Sequence, residues 1–189
     1  MKKNLQAIIL AGGKSSRIKT EKGLVSLRGK RMVEYVIEAL QTITKHISII
    51  TKNNSYEDFG FPCYPDIYEE KGALGGIYTG LVTSGWEKNI VVGCDMPFLS
   101  PLVLQQLADR SEDVDAVITM HNGWEEPLCS LYNKSCIPHF KTLLDQDRLK
   151  ITDALQGLKT SKVCFDNEIW IKGNEFANIN TLEELSKFI

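Results

Sequence analysis

The chain alternates between apolar segments of strand length and segments whose apolar residues recur at helical spacing. Residues 5–10 form a mostly apolar run typical of a buried strand, and residues 32–43 place apolar side chains on one helical face. The same patterns predict strands at 47–51, 61–64, 90–94, 115–120, 128–132 and 162–165, and helices at 74–83, 101–108, 135–144, 151–158 and 181–189. Strands alternating with helices indicate an α/β fold with three layers and a mostly parallel sheet.

Two glycines, a polar cluster and two cations follow the first strand. Gly12 and Gly13 lie directly after it, and Arg17 and Lys22 come shortly afterwards. Glycines allow a tight turn that exposes N–H donors, and nearby hydroxyls and cations suit a polyanion such as a triphosphate. The loop fits neither standard phosphate motif, because Ile8 stands where a Walker A loop requires glycine and no third glycine completes a dinucleotide fingerprint. A plain strand-to-helix turn remains the alternative.

A second candidate ligand site begins with Asp95, which directly follows the short apolar segment 90–94. Ligands of parallel sheets bind beyond the carboxyl ends of strands, so Asp95 and the first loop can meet in one crevice. An aspartate in this position can bind Mg²⁺ through one or two oxygens while substrate phosphates supply further ligands. Its alternative role is to cap a turn or the next helix.

Between these two sites lie Asp66 and a glycine-rich stretch, residues 72–80. Asp66 can accept a hydrogen bond from a nucleotide hydroxyl or amine, or it can simply end a strand. Each glycine in a helix costs about 1 kcal/mol relative to alanine, so the four glycines of this stretch need another reason. That reason is either close approach of a ligand or tight packing of the helix on the sheet, and both stay open at this point.

Length and composition indicate a single globular domain and exclude some classes of binding partner. The length of 189 residues suits one domain, and the formal net charge of −2 argues against a nucleic-acid partner. No apolar stretch is long enough to span a bilayer and no secretory cleavage pattern follows Met1, so we expect no membrane association and a cytoplasmic location. The five cysteines form no C-x-x-C pair, which predicts reduced thiols that mostly fill the core.

Taken together, these residues resemble the MobA family, the molybdenum cofactor guanylyltransferases. The resemblance runs through nearly the whole chain and rests on Leu10–Gly13 with Ser16-Arg17, Glu21–Leu24, Asp66, Gly72–Gly76, Gly93–Phe98, Glu126-Pro127-Leu128 and Phe176–Thr181. The first of these blocks occurs in many nucleotidyltransferases. The combination with the Asp-Met-Pro block and the terminal Asn-x-Asn-Thr is considerably more specific.

The resemblance implies a single domain, residues 1–189, with a Rossmann-like nucleotidyltransferase fold. Its N-terminal half would bind the nucleotide, and its C-terminal half would bind a pterin. The implied GTP-binding residues are Leu10, Ala11 and Gly12, acting through their backbone, with Gly13, Lys22, Asn53, Asp66 and Asp95. Asp95 would bind Mg²⁺, Asn178 and Asn180 would face the pterin, and Arg17 and Lys22 would act on the phosphates.

The implied reaction is nucleotidyl transfer. The terminal phosphate of molybdenum-bearing molybdopterin would attack the α-phosphorus of GTP, and pyrophosphate would leave. Positioning and charge neutralisation dominate such a reaction, and an already ionised phosphate needs no general base. Other molybdenum cofactor biosynthesis or chaperone proteins are the implied protein partners. The alternatives are another nucleotidyltransferase, such as a molybdopterin cytidylyltransferase, and a catalytically idle nucleotide-binding module.

Overall fold

A seven-stranded sheet forms the centre of the part of the chain that the computed structural model describes, residues 4–12, 21–110, 113–166, 168–171 and 173–188. In chain order the strands are β1 (Leu5–Leu10), β2 (Ser26–Leu27), β3 (Lys30–Arg31), β4 (Ile47–Ile50), β5 (Cys63–Tyr64), β6 (Lys88–Gly93), β7 (Ala116–His121), β8 (Trp124–Asn133) and β9 (Thr160–Cys164). The order across the sheet is β5-β4-β1-β6-β8-β7-β9, and β2 and β3 form a separate hairpin.

The sheet is mostly parallel, as the sequence predicts. Strand β1 pairs in parallel with β4 and β6, and β9 pairs in parallel with β7. The exception in the described sheet is β8, which runs antiparallel to both β6 and β7. The chain moves from β1 outward to β4 and β5 and then crosses back to β6. The strand order therefore changes direction between β1 and β6, and a ligand crevice is expected at their carboxyl ends.

Helices cover both faces of the sheet and complete the three layers. They are α1 (Met32–Gln41), α2 (Gly72–Thr83), α3 (Pro101–Asp109), α4 (Ile137–Asp145), α5 (Ile151–Gln156) and α6 (Leu182–Ser186), with short 3₁₀ turns at Lys22–Leu24, Asn54–Phe59 and Lys134–Cys136. Buried apolar residues of α1 and α3 share one core with one face of the sheet, and those of α2, α4 and α5 share the other. None of the described helices has the length and apolar character needed to cross a bilayer.

The glycines of α2 allow the helix to lie close to β1. A Cβ atom added to Gly80 would lie 2.6 Å from Cγ2 of Ile8, and one added to Gly76 would lie 3.3 Å from Cδ2 of Leu10. Contacts this short exclude larger residues unless the helix moves away from the sheet. Tight packing is therefore the reason for Gly80. Gly76 also approaches a carboxylate, since the same added Cβ would lie 3.7 Å from Oδ1 of Asp66.

Most predicted elements are present, and their boundaries differ by a few residues. Helix 101–108 begins at Pro101 as expected, with the Ser100 hydroxyl accepting a hydrogen bond from the Leu102 N–H at 3.2 Å. The predicted helix 135–144 instead opens as a 3₁₀ turn and becomes α-helical at Ile137. Three cysteines are buried, Cys63 is partly buried and Cys164 is exposed, in keeping with the predicted free thiols.

Candidate active site

Lys22 lies between two side chains from distant parts of the chain. Its ammonium donates a hydrogen bond to Oδ2 of Asp95 at 3.2 Å and another to Oδ1 of Asn180. Lys22 begins the 3₁₀ turn before β2, Asp95 follows β6, and Asn180 lies just before α6. The structure thus brings together three of the residues that the sequence predicts for the site, with the Asp95 side chain only 14% exposed.

The backbone position of Lys22 depends on the glycine that follows it. A Cβ atom added to Gly23 would lie 2.6 Å from Oη of Tyr56 and 3.0 Å from Cβ of Cys94. Both partners are buried, and Cys94 directly precedes Asp95. Glycine at position 23 therefore lets the turn pack closely against the loop that carries Asp95, which keeps the Lys22 ammonium within hydrogen-bond distance of the Asp95 carboxylate.

The C-terminal segment is held on this loop by main-chain and capping interactions. The Ile179 N–H donates to the carbonyl of Asp95 at 3.0 Å. At the start of α6, the Thr181 hydroxyl accepts from the Glu184 N–H at 3.0 Å, and the Glu184 carboxylate accepts from the Thr181 N–H at 3.1 Å and from the Asn180 N–H at 2.6 Å. This reciprocal capping box places Asn180 at a fixed point beside Asp95.

These residues open onto a cleft of about 360 Å³. Its lining consists of Lys22, Asp95, Glu126, Pro127, Leu128, Asn178 and Asn180. The block 126–128 belongs to β8, so the antiparallel strand forms the far wall of the cleft. The sequence patterns assign no role to Glu126, although Glu126-Pro127-Leu128 is one of the blocks that carry the family resemblance.

A second group of predicted residues gathers at the end of β1. The Leu10 carbonyl accepts from the Cys94 N–H at 3.1 Å and the Ala11 N–H donates to the Ile50 carbonyl at 3.0 Å, so both groups extend the sheet. Gly12 is the first exposed residue after them, and a Cβ atom added to it would lie 3.6 Å from Oδ2 of Asp66. The glycine therefore leaves room beside the carboxylate.

Asp66 has the electrostatic character of a binding group. Its Oδ1 is buried and has no hydrogen-bond partner among the described residues. Burial raises the pKa of the Asp66 carboxyl above its ordinary value, and the charge of Lys52 offsets part of that rise. Buried polar atoms are normally satisfied, so a carboxylate with an unpartnered oxygen next to the exposed Gly12 suits a ligand that donates hydrogen bonds.

Asn53 has a local hydrogen-bond partner. Its Oδ1 accepts from the Ser55 N–H at 3.0 Å and caps the 3₁₀ turn Asn54–Phe59. Burial raises the pKa of the Glu21 carboxyl, and the neighbouring Asn53 side chain offsets part of that rise. Gly13 and Arg17, the other two predicted site residues, lie outside the described residues.

The cleft offers oxygen ligands that suit a metal shared with a substrate. Oδ2 of Asp95 and Oδ1 of Asn180 converge on one cation, the Lys22 ammonium. Mg²⁺ is commonly bound through one or two protein oxygens, with phosphates and water completing its shell. Across the described ranges, no group of three or more His, Cys, Asp or Glu side chains could hold a metal ion. The oxygens of Asp95 and Asn180 fit an ion whose remaining ligands come from substrate phosphates and water.

The mostly parallel α/β sheet and the lysine–carboxylate pair at its switch point agree with a nucleotidyltransferase, the class that the family match shows. The MobA-like NTP transferase domain matches residues 7–160. The chain belongs to this family.

Relatives of similar length support the same assignment. A probable molybdenum cofactor guanylyltransferase of Flavobacterium johnsoniae is 34% identical over 96% of this chain and 95% of its own length. A molybdenum cofactor guanylyltransferase of Vibrio campbellii is 32% identical over 96% of this chain and 93% of its own. Among solved structures, molybdopterin-guanine dinucleotide biosynthesis protein A from Archaeoglobus fulgidus superposes with a TM-score of 0.80 at 27% identity, covering 96% of this chain and 95% of that one.

Proposed function

We propose that this chain transfers GMP from GTP to molybdenum-bearing molybdopterin, which forms molybdopterin guanine dinucleotide and releases pyrophosphate. The observation that carries the proposal is the single cleft in which Lys22, Asp95 and Asn180 meet. The names of the relatives supply the two substrates, GTP and a molybdopterin. Neither a nucleic acid nor a membrane takes part in the proposed reaction.

The proposed division of labour follows the two halves of the chain. Gly12 and the Asp66 carboxylate lie at the end of β1, where the nucleoside would bind. Asn53 follows β4, the strand next to β1, and would contribute to the same site. Asn178 and Asn180 come from the C-terminal segment and would contact the pterin. Asp95 lies between them, so the α-phosphorus of GTP would be attacked there.

Lys22 would neutralise phosphate charge in the transition state. Its four-carbon stem is flexible, so the ammonium can leave Asp95 and Asn180 for a phosphate oxygen. Fixed cations aimed at developing charge are a large catalytic contribution in phosphoryl chemistry. Arg17 would act in the same way from the loop before it. Mg²⁺ held by Asp95 would supply further neutralisation of the leaving pyrophosphate.

No side chain is required as a base in this proposal. The attacking group is a phosphate that is ionised near neutral pH, so the protein needs only to bring two anions together and screen their repulsion. The lining combines a cation, two carboxylates and two amide side chains, so Lys22 can screen the repulsion while the amides help to position a substrate.

The direct test is a transfer assay with purified protein, Mg²⁺ and molybdenum-bearing molybdopterin, with GTP or CTP as the nucleotide. We expect pyrophosphate and the guanine dinucleotide to appear together, with GTP preferred by roughly tenfold or more, the factor that one or two nucleobase hydrogen bonds provide. Preferential use of CTP would identify a cytidylyltransferase instead. Bound GTP without any transfer would identify an idle binding module.

Variants of the central pair connect this activity to the cleft. Asp95→Asn and Lys22→Met should each lower turnover by roughly a hundredfold while the protein stays folded. Lys141→Met is the matched control, since Lys141 pairs with Asp145 on the exposed face of α4. Full activity in Asp95→Asn would remove this carboxylate from the proposed mechanism.

A further inference from the structure

An irregularity in β8 directs Glu126 toward the cleft. On β7, Val117 pairs with Leu131 of β8, yet Thr119, two positions further along, pairs with Glu126. The intervening part of β8 forms a bulge, and within it the Ser130 hydroxyl donates to the Glu126 carbonyl at 2.7 Å. Bulges of this kind redirect side chains, and they are frequent next to active sites. The result is a half-buried carboxylate in the wall of the cleft.

The Glu126 carboxylate accepts no hydrogen bond from any residue in the described ranges, and it forms no ion pair with Lys22 there. Burial raises the pKa of Glu126, and His121 offsets part of that rise. The preceding residue behaves differently, because Glu125 pairs with Lys162 at 3.0 Å. A half-buried carboxylate with no hydrogen-bond partner among the described residues is stabilised by a ligand that donates to it. Glu126 therefore indicates a hydrogen-bond donor on a bound molecule.

A carboxylate repels phosphate, so the donor is an N–H or O–H group on an uncharged part of a substrate. Two parallel acceptors on one carboxylate match two adjacent N–H donors, and a 2-amino-4-oxopyrimidine ring presents such a pair. We propose that Glu126 determines specificity for the acceptor substrate by accepting hydrogen bonds from the amino group and ring N–H of its pterin. This inference rests on the proposed function.

Guanine carries the same edge, so the position of Glu126 decides between the two rings. The cleft that Glu126 lines contains Lys22 and Asp95, assigned to the phosphates and the metal, and Asn178 and Asn180, assigned to the pterin. None of its described lining residues is assigned to the guanine nucleoside. Asp66, whose buried Oδ1 has no hydrogen-bond partner among the described residues, lies beside Gly12 at the end of β1. Each ring therefore has its own carboxylate, and Glu126 belongs to the pterin.

The first experiment compares steady-state kinetics of Glu126→Gln with those of the parent protein. Glutamine keeps the shape but replaces one acceptor by a donor. We expect KM for molybdopterin to rise roughly tenfold to a hundredfold, the cost of losing a hydrogen bond to a charged group, with KM for GTP unchanged. Glu125→Gln is the matched control, because the neighbouring carboxylate has a surface partner and should leave both KM values unaltered.

The second experiment tests the direction of the hydrogen bonds. Pterin and lumazine, its 2-oxo analogue, serve as competitive inhibitors against molybdopterin. The parent protein should prefer pterin by roughly tenfold, and Glu126→Gln should lose or reverse that preference because its amide can donate to the 2-oxo group. This ratio is internal to each variant, so it stays interpretable if Glu126→Gln is less stable than the parent protein.

Three outcomes would overturn the inference. A rise in KM for GTP alone would assign Glu126 to guanine, and a higher Mg²⁺ requirement would assign it to the metal. Unchanged pterin kinetics with an unchanged pterin-to-lumazine ratio would leave it without a role in recognition. These outcomes apply only if the parent protein forms the dinucleotide. If the parent protein forms none, the proposed function itself is wrong.

Discussion

At the scale of single residues, Asp66 is a carboxylate that the fold holds in an unfavourable environment. Its pKa is raised by burial, so ionisation costs the folded state more than the unfolded one. That cost is fully present above the folded-state pKa and disappears below the ordinary value of 3.8. We predict that Asp66→Asn has a higher melting temperature than the parent protein at pH 7, that the difference vanishes as the pH falls below the ordinary aspartate range, and that GTP binds more weakly.

Calorimetry across pH and GTP titration measure these two effects, and Asp145→Asn is the control of opposite sign. A hydrogen bond from Lys141 lowers the pKa of Asp145, so its ionised form favours the folded state and its loss should lower the melting temperature slightly at pH 7. A lower melting temperature in Asp66→Asn at pH 7 would mean that the Asp66 carboxylate stabilises the fold. The interpretation of Asp66 as a ligand-binding carboxylate that destabilises the free protein would then be wrong.

Residue types and their order along the chain predict some of the site but not all of it. Lys22, Asp95 and Asn180 could be predicted because each occupies a block that resembles a known family, and the structure brings them together. Tyr56 could not, because it lies in a 3₁₀ turn that has no apolar periodicity, and its role is to fill space beneath Gly23. Contacts that depend on packing between distant segments leave no local pattern.

At the scale of elements, the turn Lys22–Leu24 is shaped by contact with the loop after β6. A methyl group on Gly23 would meet the Tyr56 hydroxyl and Cys94 at distances shorter than normal van der Waals contact. We predict that Gly23→Ala lowers the free energy of unfolding by about 1–3 kcal/mol, a typical cost of overpacking. Turnover should fall as well, because the turn must shift and carry Lys22 away from Asp95. Chemical denaturation and the transfer assay measure the two effects.

A second substitution shows whether the contact causes the loss. Tyr56→Phe removes the hydroxyl, which makes no hydrogen bond of good geometry, so it should be nearly neutral alone and should restore part of the activity of Gly23→Ala. Recovery is expected to be partial because the contact with Cys94 remains. Gly85→Ala is the control, since a methyl group there would meet no atom within 4 Å. Additive effects in the double variant would contradict the steric explanation.

The position and direction of β8 in the sheet could not be predicted from the sequence. Alternation of strands and helices predicts a parallel sheet, and it predicts the strand at 128–132 correctly. It does not reveal that β8 lies between β6 and β7 in the opposite direction, because periodicity reports which residues are buried and not which strand they pair with. The bulge that turns Glu126 into the cleft is for the same reason visible only in the folded chain.

At the scale of the whole molecule, the C-terminal segment completes a site that begins at the N-terminus. The matched family domain ends at residue 160, yet Asn178 and Asn180 form part of the cleft. Ile179 lies between them and is fully buried in a small core with Leu27, Met32 and Leu185. This core is separate from the two cores on the sheet faces, so it can loosen while the sheet remains intact.

Ile179→Ala tests whether that small core controls the cleft. Removing a fully buried isoleucine costs about 2–5 kcal/mol in a rigid core. Since this core is peripheral, we expect local loosening: faster amide exchange in residues 173–188, a fall in turnover, and a KM for GTP close to that of the parent protein. Ile169→Ala is the control, because Ile169 is fully exposed and should change none of the three. If GTP binding fell together with turnover, the nucleotide half would depend on the C-terminal segment, and the two halves would not bind their substrates independently.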